Sequence, residues 1–183
     1  MRKFVGWRTM VAMVLCAGVA SAQSQTTDPG KPAARNGAYG GYAYHAGLTC
    51  GVGASYTVAS TKATTQCGGV MTVMPFWVPL DIEAGIMGPQ VNGTTVSGYL
   101  GANSWLPLPV PEKARNKFGS PMLVGGYTRM FETGHALDYG IAVEHPVDDR
   151  HSIQFEARDY WTFANPKQHN IVFRVVWLLG LAD

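Results

Sequence analysis

Two segments near the C-terminus restrict the fold most. Residues 150–161 place Ile153, Phe155 and Ala157 in alternation with Gln154, Glu156 and Arg158. Residues 168–179 place Ile171, Phe173, Val175, Trp177 and Leu179 on one parity and Arg174 on the other. Successive side chains of a strand point to opposite faces. Each segment therefore carries large apolar groups on one face and charges on the other. An apolar outside over a charged inside is the pattern of a strand in a transmembrane β-barrel. A soluble sandwich or barrel also alternates, but turns its apolar face inward.

The rest of the chain repeats the rhythm. Strand candidates fall at 38–46, 68–76, 80–87, 96–106, 121–131 and 136–145, which with the two segments above makes about eight, the number in the smallest closed barrels. Leu80, Ile82, Ala84 and Ile86 alternate with Asp81, Glu83 and Gly85; Leu137, Tyr139, Ile141 and Val143 alternate with Asp138, Gly140, Ala142 and Glu144. Asn92-Gly93 and Glu132-Thr-Gly134 mark turns. Pro107, Pro109 and Pro111 cannot donate to a ladder, so 107–120 reads as a loop with room for one helical turn.

Arg2, Lys3 and Arg8 precede the short apolar run 11–20, and Ala20-Ser21-Ala22 fits a small-x-small cleavage site. The expected organisation is a cleaved signal peptide over 1–22, a disordered leader over 23–37 and a β-barrel over 38–183. The full chain has 14 Lys+Arg and 12 Asp+Glu; losing three basic residues and no acid with the signal takes the net charge from +2 to −1. No basic run remains, which argues against a nucleic-acid partner. Charged residues make up only 14%, against roughly 25% in soluble domains. That deficit fits a wall facing lipid, and it also fits a compact soluble β-protein.

Cys50 and Cys67 are the cysteines outside the signal, and an even pair in an exported chain predicts a disulfide. The Thr/Ser/Gly-rich segment between them reads as a loop over 48–66, stapled by that bond, facing outside the cell and available to an extracellular ligand or surface. A metal site is the alternative for the pair, but a second pair of ligands at the proper spacing is missing. On the polar face, Glu83, Asp138, Glu144, Glu156, Arg158 and Arg174 are expected to neutralise one another in the lumen, with Asp81 and Arg129 sharing that face. Trp77, Trp105, Trp161 and Trp177 fall near strand ends, where interfacial aromatic girdles belong.

The stretch from Asp138 to Trp161, with its short Pro/Asp turn and closing Glu-x-Arg-Asp-Tyr, resembles small outer-membrane β-barrel proteins of the OmpA-like and OmpW-like type. His169-Asn170 and the aromatic-rich last strand resemble them too. The resemblance implies an eight-stranded antiparallel up-and-down barrel in the outer membrane, in contact with its lipid. Such barrels end on an aromatic residue, whereas here Trp177 is followed by Leu178 to Asp183. The histidines His45, His135, His145, His151 and His169 form no metal-binding frame, and no phosphate loop or Gly-x-Ser-x-Gly occurs, so no cofactor is expected. Two other function classes remain open: a soluble exported barrel of lipocalin type, and a lipid-modifying enzyme using His135 beside Asp138 or His169 beside Ser152. The primary expectation is a non-enzymatic outer-membrane barrel with a structural, adhesive or surface-interaction role, too narrow for a wide pore.

Overall fold

The computed structural model describes residues 44–73, 79–93, 95–148, 150–163 and 166–181. The expected signal peptide, the leader and Trp77 lie outside them. The strands are β1 (Tyr44–Tyr56), β2 (Thr61–Val73), β3 (Leu80–Gly88), β4 (Ser97–Pro107), β5 (Ser120–Met130), β6 (Gly134–Pro146), β7 (His151–Thr162) and β8 (Gln168–Leu181), with one helix, α1 (Glu112–Phe118). Every neighbouring pair is antiparallel, and β1 pairs with β8, closing an up-and-down barrel of eight strands. Closure leaves no strand edge unpaired.

The strands β3 to β8 lie within two residues of their predicted bounds. Of the first two candidates, 38–43 and 74–76 lie outside the described residues; 44–46 and 68–73 are strand, and both strands extend into the segment expected as a loop. Residues 48–66 are not an outer loop: they form most of a long hairpin, β1 and β2, that turns at 57–60. Thr64, Gln66, Val70 and Thr72 point inward on β2 while Lys62, Thr65 and Cys67 are exposed. β-Branched Thr and Val suit a pleated surface whereas Gly and Ala do not favour it, and the mixture gives almost no contrast in hydrophobicity between the two faces. The period was therefore invisible where the residues are Gly, Ala, Ser and Thr.

Along β7 and β8 burial alternates residue by residue. Leu48, Val52, Ile82, Ile86, Leu100, Ile141, Phe155, Phe173 and Val175 are exposed on the outer wall. Inside, two apolar layers bracket a charged one. Toward the end away from the termini lie Met87, Tyr99, Met130, Ala136, Tyr160 and Val172. Toward the termini lie Trp105, Met122, Val124 and Ala142, and beside them Val70, Val176 and Leu178. Long side chains from β7 and β8 fit because glycines face them. A Cβ on Gly51 would sit 2.5 Å from Arg174 Cβ, and one on Gly140 would sit 2.9 Å from Arg158 Cα. An eight-stranded barrel is only just wide enough to be filled by side chains, and this one is filled.

Candidate functional site

Two sites stand out: a charge network in the lumen and a banded outer wall. In the lumen, β7 supplies Glu156, Arg158 and Tyr160 on consecutive inward positions, β8 supplies Arg174, β3 Glu83 and β6 Asp138. Arg174 grips Glu83 with two nitrogens, at 2.6 and 2.8 Å, and donates through Nε to Glu156 at 2.6 Å. Arg158 donates through Nε to the same Glu156 oxygen at 2.8 Å and pairs with Glu83 at 3.1 Å and Asp138 at 3.4 Å. Thr128 donates to Asp138 at 2.8 Å. The Tyr160 hydroxyl accepts from Gln66 at 2.9 Å and from Arg174 at 3.2 Å. Glu83 thus joins two guanidiniums held by different strands. Removing either partner of such a buried pair strands the other.

Glu144 is the one residue of the expected network that stays apart. It is buried on the inner face of β6, but its ionisable neighbour is Asp81, and Ser152 is its hydroxyl partner. Six residues separate it from Asp138, or ~20 Å along the strand, so shared parity could not bring it to the arginines. Arg129 is a second correction: it shares the outward parity of Leu123 and Tyr127 on β5.

A cap closes the lumen at the end away from the termini. The 89–96 connection tucks Gln90 fully inside, where its Oε1 accepts from Thr133 at 2.8 Å and from Gln168 at 2.8 Å. Val91 N donates to Ser55 and Asn92 N to Gln168. No sequence signal marked Gln90 and Gln168, because each sits at the boundary of a turn segment.

On the wall, Trp177 is 51% exposed and stacks with His151 at one end, while Trp161 points outward at the other. Trp161 is opposite His169, eight residues before Trp177 on β8. That spacing spans ~26 Å along the strand and ~20 Å along the barrel axis at a tilt of about 40°. The interval is filled by Ile171, Phe173 and Val175 on β8 and Phe155 and Ala157 on β7. Trp105 is corrected: it is 7% exposed and packs inside with Met122 and Val124. Its parity with Tyr99, Gly101 and Asn103 fixes that direction. Cys50 and Cys67 oppose one another on β1 and β2, exposed in the middle of the wall and not in an outer loop.

Near the Trp161 end, Asp159 breaks the apolar wall. Its Oδ2 accepts from Tyr139 at 2.8 Å and contacts His169 Nδ1 at 2.7 Å. His169 stacks on Tyr56, at 5.2 Å, and on Trp161, at 6.2 Å, with Lys167 Nζ 5.3 Å from the Trp161 ring centre. The pairings of His135 with Asp138 and of His169 with Ser152 do not form. His135 points outward to Tyr127 while Asp138 points in, and Ser152 lies opposite Leu178 at the other end of β8. Among the described residues no group of three or more His, Cys, Asp or Glu could hold a metal ion.

The fold and its two faces define a closed eight-stranded antiparallel barrel with a charged interior and an apolar exterior. Neither a family model nor a curated protein sequence matches this chain. Among solved structures it is similar to neisserial surface protein A (NspA), with a TM-score of 0.52 and 8% identity over 80% of this chain and 100% of that one. It also aligns with a de novo designed transmembrane β-barrel, at a TM-score of 0.41 and 11% identity over 73% of this chain and 95% of that one. At these identities the likeness to NspA is one of fold.

Proposed function

We propose that this chain is an outer-membrane β-barrel protein with a structural, adhesive or surface-interaction role, exported through a cleaved signal peptide, without enzymatic activity and without a wide pore. The observation that supports this most is the inversion of polarity. Arg158, Arg174, Glu83 and Glu156 are at most 5% exposed, whereas Phe155 and Phe173 beside them are 58% and 63% exposed. Water as the outer solvent would favour the reverse, by about 25 cal/mol for each Å² of apolar surface. Lipid is then the partner along the wall, over a band of ~20 Å between Trp161 and Trp177, against ~25 Å typical of such barrels. NspA, described as a neisserial surface protein, fits the same context. With the 48–66 loop now a hairpin, an extracellular ligand or surface would meet the 57–60, 89–96, 131–133 and 163–167 connections, which gather at the end away from the termini.

A soluble lipocalin-type barrel needs an apolar cavity inside, and here the lumen holds ion pairs. A lipid-modifying enzyme has one observation in its favour, the Asp159–His169 contact on the wall, but the hydroxyl held there is Tyr139, and among the described residues no serine joins the pair. Fractionation of a Gram-negative host expressing the chain tests the proposal. The expected result is recovery in the outer-membrane pellet after alkaline carbonate washing, with detergent needed for release. Recovery in the soluble periplasm would refute it.

A further inference from the structure

The helix in the 108–119 connection packs no side chain into the barrel. This helix, α1, is seven residues long, buries no residue and has no side-chain N-cap bond. A helix that short is not stable in water without packing. Phe118 at its end is 66% exposed, and Leu108 and Val110 before it are 37% and 36% exposed. The cations Lys113, Arg115 and Lys117 outnumber the single acid Glu112, and Lys117 Nζ lies 5.0 Å from the Phe118 ring. Arg115 and Lys117 complement the C-terminal helix dipole; Lys113 is too early for that role.

The attachment fixes where this basic, apolar segment sits. Leu108 N donates to Pro121 O at 2.9 Å, continuing the β4–β5 ladder. At the other end Gly119, with φ 89°, lies so close to the β6 backbone that a Cβ would come 2.4 Å from Glu144 O. Both ends of the segment are therefore pinned to the barrel rim, just beyond the outward pair Leu106 and Leu123 that ends the apolar wall. That is the level of lipid headgroups.

We propose that α1 docks on an anionic phospholipid surface, with Lys113 and Lys117, one turn apart on the same face, against the phosphates and Phe118 inserted at the acyl boundary, so that the terminus-bearing end of the barrel is tied to a phospholipid leaflet. Short amphipathic basic segments with an aromatic residue bind interfaces in this way. The proposal rests on the membrane-spanning reading and adds a specific lipid contact to it.

The test uses the mature full-length chain with Cys50 and Cys67 changed to Ala and a nitroxide on Ala114→Cys, on the Phe118 side of the helix, in nanodiscs of phosphatidylcholine alone or with phosphatidylglycerol. Power saturation reports the ratio of oxygen to nickel-chelate accessibility. The ratio is expected to rise severalfold in the anionic discs. It should return to the water-like value in 1 M salt, where the Debye length is about 3 Å, and in a K113Q/R115Q/K117Q variant, which loses no buried contact. F118S should lower it while leaving the charge intact. Equal, water-like ratios in the two discs overturn the proposal, as does a rise that the triple variant retains. Failure of the chain to enter either disc overturns instead the membrane-spanning reading beneath it.

Discussion

Replacing Glu83 by Gln probes the lumen with little change in shape. Glu83 holds Arg174 at 2.6 and 2.8 Å and Arg158 at 3.1 Å, all at side chains only 1% exposed. Glutamine keeps one carbonyl acceptor and turns an NH₂ group toward a guanidinium, so at least one contact is lost and the charge attraction goes with it. Charge-assisted hydrogen bonds contribute ~1.5–3 kcal/mol each. Breaking a buried ion pair from one side costs ~3–5 kcal/mol. The expected destabilisation is about 3–5 kcal/mol, or between about 10² and 10⁴ in the unfolding equilibrium. Glu156→Gln should cost less, because both arginines still hold Glu83. Glu112→Gln, on the exposed helix, should stay within about 0.5 kcal/mol. Urea titration of the refolded chain in lipid vesicles, followed by circular dichroism and by mobility on unheated gels, gives the three values. A double variant, E83Q/R174Q, should be less damaged than the sum of its singles. If E83Q shifts the midpoint no more than E112Q, or the singles simply add, the lumen network does not carry the stability assigned to it.

Three further outcomes follow from the geometry. Phe173→Arg, outward at mid-wall, should destabilise the vesicle-inserted chain by ~2–4 kcal/mol, and a variant as stable as the parent would refute lipid exposure there. Gly51→Val should cost ~1–3 kcal/mol by overpacking against Arg174 and the β8 backbone, read by the same titration; a smaller cost would mean that the lumen has slack. We propose that Cys50 and Cys67, opposed across β1 and β2, oxidise to a cross-strand disulfide in an exported chain, losing two hydrogens by mass spectrometry; full labelling without reductant, in protein unfolded by urea, would refute it.

The alternation in β3, β6, β7 and β8 was legible because each strand sets Leu, Ile, Phe or Trp against Asp, Glu or Arg. Parity alone places Glu83, Asp138, Glu156, Arg158 and Arg174 on one face, but only the register across strands sets their heights. Glu144 shows the limit, with the correct parity at the wrong height. Trp105 shows the opposite fault: proximity to a strand end suggests an outward indole, although counting from Tyr99 turns it in. The β1–β2 hairpin was hidden by its composition, since Gly, Ala, Ser and Thr fit either face, and by a cysteine pair that reads as a loop staple. The run Thr61, Thr64, Thr65 was the available strand signal there. Gln90 and the Asp159–His169 contact depend on tertiary closure, and no local pattern announces them.

The inversion of polarity is tested most directly by single-tryptophan variants, with every other Trp changed to Phe, in vesicles whose acyl chains carry bromine. A chain keeping only Trp177 should be strongly quenched, because its indole faces the acyl region. A chain keeping only Trp105 should be nearly unquenched, because its indole lies inside the barrel. Quenching of Trp105 with Trp177 spared, or quenching of neither, would contradict the account.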